Sequence, residues 1–160
     1  MRVSSELGRM ERALVVVDDT EQHRALLREA GQLAAGVGAK LLLYSPMTEE
    51  EFEQDLETVE SIAEVEGTSY GDRTVLDAAR KVGRDLADEE FGGLDVDSEV
   101  VGDVIDDDVA NAVIETAEER DCDHVFVRGR RRSPTGKAVF GDTAQAVILN
   151  FDGFVTVSTA

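Results

Sequence analysis

The chain has 160 residues, 42% of them hydrophobic and 32% charged, and 35 Asp and Glu against 16 Lys and Arg give a net charge of −19. This length and apolar content fit one domain with a real core and exclude intrinsic disorder. The bulk acidity argues against general nucleic-acid binding, which needs a basic face, and the lone Cys122 excludes a disulfide framework or a cysteine zinc site.

The opening MRVSSELGRMER lacks an apolar signal core. ALVVVDD (13–19) is a continuous apolar run ending in two aspartates, the pattern of a strand buried on both faces of a parallel sheet. A helix is predicted from Thr20, its N-cap, to Ala35, with Leu26, Ala30 and Leu33 inward and Gly36-Val37-Gly38 as the stop. AKLLLYS (39–45) is a second buried strand, closed by Pro46. Residues 48–66 read as an acidic helix with Phe52, Leu56, Val59 and Ala63 on one face, and 66–73 as a break. The helix expected over Thr74–Glu90 turns Val75, Ala79, Val82 and Leu86 inward, and Gly92-Gly93 ends it.

LDVDSEVV (94–101) alternates apolar and polar residues, as a strand near a sheet edge does. Asp106–Asp108 precede the helix 109–120, where carboxylates suit the positive N-terminal end better than they suit a metal. A strand over 123–129, a helix over 142–150 with Ala144, Val147 and Ile148 inward, and a last strand over 153–159 complete the chain. Strand and helix alternate throughout, which predicts a single α/β domain over residues 1–160: helices on both faces of a mostly parallel sheet. With no Trp and few aromatics, the core is expected to be built from Val, Leu, Ile and Ala. No apolar run reaches the roughly 18 residues of a membrane span. A cytoplasmic protein without a membrane partner is expected, and its acidic surface with only Lys40, Lys81 and Lys137 suits a halophile cytoplasm.

One stretch runs against the overall charge. VRGRRRSPTGKAVFGDTAQAV (127–147) holds Arg128, Arg130, Arg131, Arg132 and Lys137 between a strand and a helix opening at Gly141-Asp142-Thr143. Backbone N–H groups at a helix start attract phosphate, and arginine binds it through two parallel hydrogen bonds. The segment is a poor P-loop, with Arg131 at the first glycine position and Ala138 in place of Ser or Thr. Three uses of the arginines stay open here: a phosphate ligand, ion pairs with the protein's own or a partner's carboxylates, and nucleic acid, for which the absence of interleaved aromatics is a weak signal.

VVVDDT, the run VVGDVIDDDVANAVIETAEERDCDHVFVRG, the loop and helix from Gly129 to Val147, and the closing FVTVS together resemble the universal stress protein family over about residues 11–159. The resemblance implies a three-layer α/β/α, Rossmann-like fold of the adenine-nucleotide α-hydrolase type. Its five parallel strands would run in the order 3-2-1-4-5. It also implies a homodimer through the C-terminal strand and, in some members, ATP held by a G-x2-G-x9-G-[ST] loop. Carried onto this chain, Gly141 is the last glycine of that signature, Arg131 and Arg128 stand at the second and first, Gly129 lies one position along, and Asp142, with Thr143 beside it, takes the Ser/Thr place. Asp18 matches the aspartate that lies against the adenosine part, and Ser45 and Val127 match backbone positions at the ends of strands two and four. The candidate cofactor is therefore ATP, with Mg²⁺ if bound.

No catalytic constellation stands out. His23 and His124 lack ligand-spaced partners and read as ordinary residues. Cys122 between Asp121 and Asp123 reads as a packed thiol whose pKa the local charge raises, and Ser133 and Ser158 have no evident base. The expected function is a stress-response binding module. The alternatives are a slow ATPase with arginines as charge stabilisers and Asp18 or Asp19 on Mg²⁺, or a homodimeric interaction protein whose loop arginines form salt bridges.

Overall fold

The apolar runs become strands whose successive side chains enter two different cores. In the computed structural model, which describes residues 10–18, 20–54, 57, 72–106, 108–129 and 141–159 and, for 72–75, the backbone only, the strands are β1 (Arg12–Val16), β2 (Lys40–Thr48), β3 (Asp97–Ile105), β4 (His124–Arg128) and β5 (Phe154–Ser158). All pair in parallel, in the order β3-β2-β1-β4-β5. Ala13, Val15, Leu41, Leu43 and Phe126 face one side, where α1 (Glu21–Val37) and α2 (Asp72–Phe91) supply Leu26, Leu27, Ala30, Leu86 and Phe91. Leu14, Leu42, Tyr44, Val125 and Val127 face the other, against Ala110, Val113 and Ala117 of α3 (Val109–Glu119) and Ala144 and Val147 of α4 (Asp142–Asn150). The period of two thus explains why both parities of these strands are apolar.

The helix ends follow local chemistry. The Thr20 side chain caps α1 by accepting the His23 N–H, and Gly38, at φ 71°, ends it in a left-handed conformation that glycine adopts freely. Asp108 caps α3 by accepting the Asn111 N–H at 3.0 Å, the structural role read for the aspartate run; Asp107 lies outside the described residues. Residues 49–54 are helical, and Leu56, Val59, Ala63 and residues 66–71 of the expected break lie outside the described residues. Arg24 and Arg28 of α1 reach Glu89 and Glu90 of α2, each at 2.7 Å.

Several sequence expectations need correction. Pro46 does not close β2, which continues to Thr48 along β3. Beyond Tyr44 no β1 residue pairs with β2, so the missing proline N–H removes no bond to β1. The α2 helix begins at Asp72, inside the expected break. Leu33, Val82 and Ile148 are exposed rather than inward. Leu86 is buried as expected, and the rest of the buried face of α2 runs through Gly83, Ala87 and Phe91. Its orientation is set by close approach: a Cβ on Gly83 would lie 2.7 Å from Val100 Cγ1, and one on Gly31 of α1 2.5 Å from the Phe91 ring.

The core is also more aromatic than composition suggested, with Tyr44 and Phe126 its largest fully buried side chains. Tyr44 donates its hydroxyl proton to Asp103 Oδ2 at 2.9 Å. Burial foremost, with the neighbouring carboxylates, pushes its phenol up to about 12. Tyr44 therefore ties β2 to β3 and stays uncharged at any physiological pH.

Candidate functional site

Chain order and strand order together locate a crevice. From β1 the chain moves outward to β2 and β3, then crosses back to β4 on the other side of β1. In such a sheet the loops leaving the C-terminal ends of the two central strands part in opposite directions, and the space between them accepts ligands. Those ends are Val17-Asp18 after β1 and Val127-Arg128-Gly129 at the end of β4. The β1–β4 register, Val15 opposite Phe126, sets them side by side.

At the β1 end, Asp18 Oδ1 accepts the Thr20 N–H at 3.0 Å, so this carboxylate turns the strand into the helix. Asp19 lies outside the described residues. Ser45 is not at a strand end, because β2 runs on; it is the first β2 residue past the pairing with β1, next to the Tyr44 carbonyl that accepts the Val17 N–H at 2.9 Å. Val127 is buried, which leaves only its backbone for a ligand. Arg128 closes β4 with an exposed side chain. The Gly129 N–H is already given to the Ser158 carbonyl at 2.7 Å, so it serves β5 rather than an anion.

Arg131, with Arg130, Arg132, Ser133 and Lys137, lies outside the described residues. The segment ends at Gly141, which precedes α4 with φ 87° and ψ 158°, a backbone that only glycine adopts without strain. Gly141 has no side chain and brings no side-chain cap to the first turn of α4. Asp142 is exposed and Thr143 half-buried. The Asp142 charge favours the helix N-terminus while opposing an anion there.

His23, read from the sequence as an ordinary residue, stands beside Asp18 at the turn from β1 into α1. Its Nδ1 lies 2.8 Å from the Thr20 hydroxyl oxygen. Burial lowers its pKa below the ordinary histidine value, the Asp18 carboxylate pulls it back up, and the Arg128 guanidinium lowers it further. Asp18 and Arg128 thus both act electrostatically on His23. The only sequence signal was the position of His23, one turn into the helix that follows the first strand.

Other features do not compete for this role. A cavity of about 670 Å³ opens at the opposite, N-terminal end of the sheet, among Arg12, Lys40, Asp121, Cys122 and Phe151. Cys122 is buried there, and burial foremost, rather than its acidic neighbours, pushes the thiol up to about 11, so it is a packed group and not a nucleophile. His124 stacks on Phe154 with ring centroids 4.9 Å apart. Among the described residues no three His, Cys, Asp or Glu side chains converge to hold a metal, and no helix is long and apolar enough to cross a membrane.

A five-stranded parallel sheet in this order, with helices on both faces, defines the Rossmann-like class of α/β proteins. The model of the universal stress protein family matches residues 10–158, and the chain belongs to that family. Solved structures agree on the fold. A universal stress protein from Archaeoglobus fulgidus is 21% identical with a TM-score of 0.60, over 92% of this chain and 97% of that one. The universal stress protein UspA from Lactobacillus plantarum is 15% identical at 0.66, over 94% and 98%. The universal stress protein from Archaeoglobus fulgidus in complex with dAMP is 16% identical at 0.57, over 93% and 98%. No curated protein sequence matches the chain.

Proposed function

We propose that this protein is a stress-response binding module that takes an adenine nucleotide, or another phosphate-bearing anion, in the crevice between β1 and β4. The observation that carries this reading is the β1–β4 register, which sets Asp18 and Arg128 at neighbouring strand ends at the switch point of an otherwise acidic protein. In this reading Arg128 and the basic segment after it hold the phosphates, together with the first turn of α4. Asp18 and the backbone at Ser45 and Val127 lie against the nucleoside. A relative captured with dAMP supports the ligand class. The side chains suit a nucleotide: cationic donors replace the two glycines of the family signature, and Gly141 keeps the one close backbone approach. Mg²⁺, if used, would come with the phosphates. Binding without turnover is the proposed role, in the cytoplasm of a salt-adapted cell.

Calorimetric titration with Mg-ATP, ADP and AMP in molar KCl tests the reading. Saturable binding of at least one of them is expected, and Arg128→Ala should weaken it by about tenfold or more, the worth of a charge-assisted contact. No binding by any of the three would overturn the adenine-nucleotide reading.

The protein is further proposed to form a homodimer through β5. Among the described residues this strand pairs only with β4, at the edge of the sheet, and Phe154, Ile148 and Leu149 expose apolar surface beside it. Light scattering should give twice the chain mass, and Phe154→Glu should give the monomer. A monomeric parent protein would refute this arrangement.

A further inference from the structure

We propose that His23 is a binding residue of the same crevice: held by the Thr20 hydroxyl within reach of Asp18 and Arg128, its imidazole takes a proton from solvent as a phosphate group enters and hydrogen-bonds that group as a cation. This inference rests on the phosphate reading above and adds a third, titratable group to it.

The geometry begins with Thr20. Its side-chain oxygen accepts the backbone N–H of His23 as the helix cap, and the same oxygen lies 2.8 Å from His23 Nδ1. With one lone pair engaged by the cap, the hydroxyl proton is free to point at Nδ1. The neutral ring then carries its proton on Nε2, a donor not committed to Thr20.

The surrounding charges set the direction of change. From β1, Asp18 favours the cation; from β4, Arg128 opposes it, and burial opposes it more than either. On α1 itself, Arg24 is engaged by Glu89 and Glu90 of α2. Lys40 of β2 and His124 of β4 lie at the N-terminal ends of their strands, away from this crevice. Burial therefore disfavours the imidazolium in the free protein. An incoming phosphate neutralises the Arg128 field and supplies its own negative charge, and both changes raise the affinity of the imidazole for a proton. By linkage, whatever raises the proton affinity on binding must tighten binding as pH falls.

The test uses the full-length protein with ATP as the probe, titrated at about pH 5.5 and about pH 8 and compared with His23→Gln, which keeps a donor but cannot titrate. Because ATP itself titrates in this range, the readout is the ratio between the two proteins. The parent protein should gain up to about tenfold more affinity on acidification than the variant. NMR of the ring protons reads that pKa directly in the parent protein, free and saturated with ATP, with His124 as the internal reference. If both proteins bind ATP with the same pH profile and saturation leaves the His23 titration unmoved, the role of His23 is refuted while the nucleotide reading stands. If ATP binds to neither protein at either pH, both fall. Should the variant fail to fold, the NMR titration of the parent protein still decides.

Discussion

Gly153→Val is expected to destabilise the protein by about 3 kcal/mol, although Gly153 is exposed at the surface. A Cβ at this position would lie 2.6 Å from Phe151 Cε2 and 2.8 Å from the Asp123 carbonyl oxygen. The phenylalanine ring can turn away at some cost, but it sits in the core beneath α3 and α4. The carbonyl cannot turn, because it accepts the Phe154 N–H at 3.0 Å and so starts the pairing of β5 with β4. Relief would have to come from moving the start of β5. Urea denaturation should place Gly153→Ala between the parent protein and Gly153→Val. Gly36→Ala is the control: its Cβ would meet nothing within 4 Å, and alanine suits a helix better than glycine, so that variant should be neutral or slightly stabilised. Equal stability of Gly153→Val and the parent protein would show that β5 does not depend on this close approach.

The second large effect is expected at Asp123, beside the same contact. Its carboxylate is one of two buried polar side chains among the described residues. Oδ2 accepts the Glu11 N–H at 3.0 Å, and Oδ1 lies 3.4 Å from His124 Nδ1. The backbone does related work: the Asp123 N–H donates to the Arg12 carbonyl at 2.8 Å. One residue therefore fastens the beginnings of β1, β4 and β5. Asp123→Ala removes the acceptor and leaves a part-buried N–H without a partner, a loss of about 2–3 kcal/mol. Asp123→Asn keeps an acceptor of the same shape and should cost about 1 kcal/mol. The ordering of the two variants in denaturation is the check, and an alanine variant no weaker than the asparagine one would show that the Glu11 contact contributes nothing.

Both residues lie at the N-terminal end of the sheet, opposite the crevice at Asp18 and Arg128. Substitutions that weaken the fold there should leave ligand affinity intact so long as the protein stays folded. Arg128→Ala and His23→Gln should do the reverse.

Local chemistry was legible in the sequence wherever one stretch of chain supplies all the partners. The two-sided apolar runs 13–17 and 41–44 could only be strands covered on both faces, and the caps at Thr20 and Asp108 bond to residues within one turn. Alternation of strands with helices then required a parallel sheet with crossovers, and the family resemblance supplied its strand order.

What the sequence did not determine depends on contacts between distant elements. Helical spacing shows that a face exists but not how it is rotated, so Leu33, Val82 and Ile148 were turned inward when the tight packing at Gly31 and Gly83 turns other residues there. Pro46 sits within a strand because of where β1 ends, a fact of the neighbouring chain and not of the residues around Pro46. The site divides the same way. Asp18, Arg128 and Gly141 were identifiable from motif positions, but the loss of the Gly129 N–H to Ser158 and the coupling of His23 to Asp18 and Arg128 were not. Sequence fixes which groups are present and how each segment folds locally. Which charges share a crevice, and which N–H groups remain to bind a ligand, is decided only when strands from both halves of the chain pair, because electrostatic fields and hydrogen bonds act over ångströms in space and take no account of distance along the chain.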